Sequence, residues 1–169
     1  MTPTARAPSA SPSPAKQVAG FIAKFDPAVA TLTRAARAAL RKSYPTATEL
    51  VYDNYNALAI GYGPTDRTSD VFVSLAVYAS GVNLYFMYGA RLPDPRGLLQ
   101  GQGNQGRFVR LTAAAQLRSS PLRALLKAAI ARGRVPLPVS GRGQTIVKSV
   151  SDVQRPRRPG GAAAKRKRA

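Results

Sequence analysis

The chain has 169 residues, with 26 Lys and Arg against 7 Asp and Glu, a formal charge of +19. It contains no Cys, His or Trp. These absences exclude a disulfide framework, a thiol nucleophile, any Cys/His metal centre and any triad that needs an imidazole.

Residues 1–15 are rich in Pro, Ser and Ala and hold almost no large apolar side chain. Such a segment cannot offset its chain entropy by burial and is expected to be disordered. From residue 15 to 25, Val18, Phe21, Ile22 and Phe25 follow helical spacing, one apolar stripe. Asp26-Pro27 reads as an N-cap followed by proline in the first helical turn, opening a second helix to about residue 42. Val29, Leu32, Ala36 and Leu40 face inward on it, and Arg34, Arg37 and Arg41 lie on its outer side. Tyr44-Pro45 ends it.

Residues 49–62 are β-branched and aromatic, two short strands broken near Asn54-Tyr55-Asn56. Residues 70–78 and 82–88 alternate in period two around Ser80-Gly81, the pattern of an antiparallel hairpin. Pro93-Asp94-Pro95 begins a one-turn helix, a glycine-rich loop follows, and residues 107–111 form a further strand. Thr112 caps a short helix over 113–117. Ser120-Pro121 opens a last helix with Leu122, Leu125, Leu126, Ala129 and Ile130 on one face, stopped by Gly133. The expected fold is α+β, an antiparallel sheet of about five strands flanked by two N-terminal and one or two C-terminal helices, with disordered tails. Three segments result: 1–15, a globular domain over 16–133, and a flexible basic tail over 134–169. In that tail, residues 144–150 could form a strand, but the flanking Gly and Pro argue against durable structure. No apolar run is long enough for a spanning helix, so the default is a cytoplasmic protein without membrane contact.

Residues 16–133 carry fifteen bases and six acids, whereas residues 134–169 carry ten bases against Asp152. A chain this basic attracts polyanions by long-range field and counterion release. GC-rich codon usage also supplies arginine, though it does not account for the scarcity of acids. Arg155, Arg157, Arg158 and the run Lys165, Arg166, Lys167, Arg168 mark a segment suited to nucleic-acid phosphates, with no sequence readout implied.

Gly101-Gln102-Gly103-Asn104-Gln105-Gly106 matches G-x-G-x-x-G. In a dinucleotide site that loop follows a strand and opens a helix; here the order is reversed. What remains is an anion site from backbone N–H groups of Gly101, Gly103 and Gly106 beside Arg107 and Arg110. Glu49 and Asp53, four apart on a strand, point the same way and form the weak candidate pair for acid/base work or a hard cation. Against this stands an ordinary solvated strand edge. Seven tyrosines, several near the hairpin, offer a stacking platform or half-buried sheet packing.

The stretches Phe21-Ile22-Ala23-Lys24-Phe25, Val71-Phe72-Val73-Ser74-Leu75-Ala76-Val77-Tyr78 and Val82-Asn83-Leu84-Tyr85-Phe86 resemble the YdhG-like domain family. Leu92-Pro93-Asp94-Pro95, Leu98-Leu99-Gln100-Gly101-Gln102-Gly103 and Arg107-Phe108-Val109-Arg110 continue the likeness, which covers about residues 17–132. The resemblance implies a small bacterial domain of largely unassigned function, and for some members a frataxin-like iron chaperone. Iron would need acidic, oxygen-rich surface, for which Glu49 and Asp53 are the candidates. The expectation is a small non-catalytic binding domain that uses no cofactor, with a basic tail that contacts nucleic acid. The alternative is the intracellular iron chaperone.

Overall fold

The computed structural model describes residues 10–159. Its elements run α1 (Pro14–Ala23), α2 (Pro27–Ser43), β1 (Thr48–Asp53), β2 (Leu58–Gly63), β3 (Val73–Tyr78), β4 (Gly81–Phe86), β5 (Arg107–Leu111), α3 (Ser120–Ala131) and β6 (Thr145–Val150). The strands form a six-stranded sheet in the order β5-β4-β3-β2-β1-β6. Every pairing is antiparallel except that of β1 with β6. The class is α+β with a mixed sheet.

Strand alternation decides which face is buried. Val51, Ile60, Leu75, Leu84 and Val109 pair in one row across β1 to β5, and all are buried in a core shared with Val18, Ile22, Leu40 and the α3 residues Leu122, Leu125 and Leu126. Glu49 and Asp53 occupy the same face of β1, two residues to either side of Val51. The helices therefore cover the face that carries both carboxylates.

Several expectations are corrected. The sheet has six strands because β6 forms. Val51 pairs with Val147, and Lys148 is the extra residue at a bulge before Tyr52 meets Ser149. The flanking Gly143, read as a breaker, permits the approach: a Cβ there would overlap the Ala47 carbonyl. Its N–H donates to the Pro45 carbonyl at 2.9 Å. The flexible tail therefore does not begin at 134, since residues 145–150 are a strand and Arg157 is 6 % exposed. Residues 14 and 15 likewise belong to α1, whose cap is Ser13: its hydroxyl accepts from the Lys16 N–H at 3.3 Å. Asp26 sits at the cap position of α2 but its side chain makes no capping bond. The hairpin turn is Ala79-Ser80, with Gly81 already pairing Tyr78. Residues 93–99 form no helix; Asp94 accepts from the N–H groups of Leu98 and Leu99 at 2.9 and 2.8 Å. A 3₁₀ turn, Ala114–Arg118, replaces the short helix expected over 113–117. Among the described residues no helix is long and apolar enough to cross a membrane.

Candidate functional site

Glu49 is the second residue of β1 and is 2 % exposed. Arg37 of α2, expected on the outer side, turns inward and donates both Nε and Nη2 to its carboxylate, each at 2.8 Å. Tyr62 Oη donates to Oε2 at 2.9 Å and Thr145 Oγ1 to Oε1 at 2.8 Å. Burial alone would raise the Glu49 pKa, but the Arg37 hydrogen bonds and charge, aided by Thr145 and Tyr62, hold it below its ordinary value. The Arg37 guanidinium is raised by the same bond, against its own burial. Burial and then the Glu49 charge push the Tyr62 phenol well up, so it remains a donor. Glu49 is thus fully engaged, and its charge is matched by Arg37.

Above this pair lies a cleft of about 470 Å³, between the second half of α2 and the loop entering β6. Positions 34, 38, 41 and 42 fall on one stripe of α2, which lines one wall, and the small Ala38 leaves its middle open. Arg142 comes from the opposite wall, and Tyr44-Pro45 closes one end. The Tyr44 ring is half-buried and held edge-on by Phe72 at 5.5 Å between centroids. Five cations, Arg34, Arg37, Arg41, Lys42 and Arg142, stand against one carboxylate, a net of four positive charges. Arg34, Lys42 and Arg142 have no hydrogen-bond or ion-pair partner among the described residues, and Arg41 approaches Glu49 no closer than 3.9 Å. Arg41 and Lys42 also sit in the last turn of α2, where cations offset the carbonyl end of the helix dipole.

Asp53, at the far end of β1, is fully buried. Lys24 Nζ donates to Oδ2 at 2.7 Å and Arg157 Nη2 to Oδ1 at 2.8 Å. Burial would raise its pKa, but the bond from Lys24 and the contributions of Gln154 and Arg157 outweigh it and the carboxyl is lowered. The solvated-edge expectation is therefore overturned for both acids. They do point the same way, but into the protein, and they do not converge on a shared site. A cation approaching either oxygen pair meets guanidinium or ammonium first. Among the described residues no three of Asp, Glu, His or Cys gather.

The loop site is also taken apart. Arg107 and Arg110, three apart on β5, point to opposite faces. Arg107 Nη1 donates to the carbonyls of Gly103 and Gly106 at 3.0 and 2.7 Å, so the loop offers it oxygens. Arg110 donates to the Ser80 carbonyl and to Asn83 Oδ1. Gly106 serves packing, since a Cβ there would overlap Tyr85 Oη, whereas Gly101 and Gly103 sit at φ of 111° and 101°, the region that favours glycine. Tyr62 is core and Tyr55, Tyr78, Tyr85 and Tyr88 are exposed at scattered positions, none of them lining the cleft.

Of the tail arginines, Arg157 is consumed by Asp53 and the Asn54 carbonyl. Arg158 donates to the carbonyls of Lys24 and Ala23 at 3.2 and 3.4 Å, closing the end of α1. Arg155 lies over the Tyr55 ring at 5.6 Å. Lys165, Arg166, Lys167 and Arg168 lie outside the described residues. Arg142 escaped sequence reasoning; it sits alone in a Gly-rich loop, and nothing local ties it to α2. Comparison of the chain with protein-family models, with curated proteins and with solved structures finds no match in any of the three.

Proposed function

We propose that this chain is a small non-catalytic binding domain, YdhG-like in kind, whose ligands are nucleic-acid phosphates. The cleft of Arg34, Arg41, Lys42 and Arg142 anchors them, and the run Lys165–Arg168 adds contacts. The observation that carries this reading is the asymmetry of pairing. The buried acids Glu49 and Asp53 are saturated by Arg37, Lys24 and Arg157, whereas Arg34, Lys42 and Arg142 face the cleft without a carboxylate and Arg41 approaches Glu49 only to 3.9 Å. Like charges held together in water repel, and a phosphate polymer relieves that repulsion while releasing its own counterions. Arginine suits the task because its planar donors match phosphate oxygens. Contacts of this kind carry no base information, so binding is indifferent to sequence.

The test is fluorescence anisotropy on two unrelated DNA duplexes at several salt concentrations. Four cleft cations on phosphates give a slope of log K against log salt of about −3.6, and the run 165–168 adds about as much again. Truncation after Pro159 is expected to halve the slope. Charge removal at Arg34, Arg41, Lys42 and Arg142 is expected to remove the other half. Absence of binding at low salt, or strong preference for one duplex, overturns the proposal.

A further inference from the structure

The shape of the cleft says more than its charge, on the premise that its ligand is a nucleic-acid phosphate. A duplex presents its phosphates on a convex surface, each diester bearing one charge and joined to carbon on two of its oxygens. The cleft is concave, and its volume of about 470 Å³ falls in the range of pockets that enclose small molecules, roughly 300–1,000 Å³. Arg34, Arg41 and Lys42 of α2 and Arg142 of the loop entering β6 line it together, so cations from two separate elements border a single space. One diester has too little charge and too few free oxygens to occupy that set. A phosphate monoester carries about −1.5 to −2 charges at neutral pH and three free acceptor oxygens. It can accept from both elements at once. The Tyr44-Pro45 end offers a flat apolar surface to the sugar or base attached to it, and Phe72 fixes the ring. Glu49 does not repel the dianion because four donors already surround its carboxylate.

We infer that the cleft is a phosphate-monoester site, which takes the terminal phosphate of a nucleic-acid strand or the phosphate of a free mononucleotide. The two sources share the chemistry and differ in what is attached.

The experiment compares single-stranded decamers of one sequence ending in hydroxyls, in a 5′-phosphate or in a 3′-phosphate, with closed circular DNA and thymidine 5′-monophosphate as competitors. Full-length protein is used throughout. The phosphorylated decamer is expected to bind about tenfold more tightly than the hydroxyl-ended one at pH 7.5. That preference is expected to shrink at pH 5.5, as the monoester takes up its second proton near pH 6. Arg34→Ala with Arg142→Ala should abolish it while leaving the melting temperature unchanged, because neither side chain has a partner in the fold; Lys42→Gln alone should weaken it. Nucleotide that competes equally with the phosphorylated end, and raises the melting temperature of the unaltered protein, assigns the site to the free compound as well. If hydroxyl-ended and circular DNA bind as tightly as phosphorylated ends, end recognition is overturned and the backbone reading stands. If mononucleotide binds in the cleft and no nucleic acid does, the monoester site stands and the nucleic-acid reading falls. Binding of none overturns both.

Discussion

Arg157 donates to Asp53 Oδ1 at 2.8 Å across 104 positions of sequence, and through that bond the C-terminal segment is fastened to the second-last strand of the sheet. The guanidinium also lies over the Phe25 ring at 5.5 Å, and its buried Nε finds no hydrogen-bond partner among the described residues. Around it Ser151 N–H donates to the Asp53 carbonyl and Arg155 N–H to that of Tyr55, both at 2.9 Å. A basic residue chosen for solvent and phosphate would not be arranged this way. The ion pair makes Arg157 a structural clasp.

Asp53→Asn keeps the shape of the acceptor and removes its charge, leaving Arg157 buried without a counterion. Breaking a buried pair at one partner costs about 3–5 kcal/mol, with the half-exposed Lys24 contributing little of it. Taking the lower figure and roughly 2–4 °C per kcal/mol for a domain of this size, the melting temperature is expected to fall by about 6–12 °C. Limited trypsin digestion should then cut after Lys148 and Arg157 far sooner than in the unaltered protein. An unchanged digestion pattern would show that the clasp does not hold the segment.

Truncation after Gly133 removes β6 together with Arg157 and Thr145. It strips β1 of its parallel neighbour, exposes a new sheet edge, and leaves Asp53 and Glu49 each short of a donor. The fragment 16–133, which sequence patterning alone would choose as self-sufficient, should melt well below a 10–159 fragment or lose cooperativity. Differential scanning calorimetry of the two decides it. Equal transitions would return the domain boundary to 133.

Local pattern explains where the sequence was legible. The hairpin of β3 and β4 and the stripe of α3 are written in short-range periodicity, so the strand face with Val73, Leu75 and Val77 and the helix face with Leu122, Leu125 and Leu126 are readable, and both are buried. The parity of Glu49 and Asp53 was readable for the same reason. Their environment was not: whether a strand face meets water or helix depends on partners 12 and 104 residues away. The strand pattern of 144–150 is legible, but its flanking Gly and Pro outweigh it locally, and its parallel pairing with the distant β1 has no local signature. The cleft was missed with that pairing, since Arg142 arrives on the loop that leads into β6. The arginines of α2 were seen, but spacing could not tell that Arg37 turns in while Arg34 and Arg41 stay out.

Acid should unfold the protein through the two carboxyls. Both have native pKa values below their unfolded ones, where unperturbed values are about 4.3 for Glu and 3.9 for Asp. The stability they contribute is complete above those unfolded values and is lost as pH falls through the lowered native ones. Chemical denaturation from pH 7 to 2 should show a flat profile above about pH 5 and a steep decline below pH 4. In Glu49→Gln the decline should be shallower, starting from a lower plateau. A decline centred near pH 6 would require some other group.

The last prediction separates shape from charge at the cleft. Gly143 carries no functional atom, yet a Cβ there would overlap the carbonyl of Ala47, where β6 joins β1. The clash is with backbone, so no rotamer relieves it; the start of β6 must move. That displacement pulls Thr145, two residues on, from Glu49 and shifts Arg142, the residue directly before Gly143. Gly143→Ala is therefore expected to lower the melting temperature and weaken phosphate binding together, with the slope of log K against log salt changed although no charge is removed. Gly20→Ala is the control. Gly20 lies in α1 with nothing within 4 Å of its added Cβ, so the change should stabilise by about 0.5–1 kcal/mol through helix propensity and leave binding as it was. Melting curves and anisotropy on the two variants make the comparison. If Gly143→Ala binds phosphate as the unaltered protein does, the wall that carries Arg142 is not part of the site.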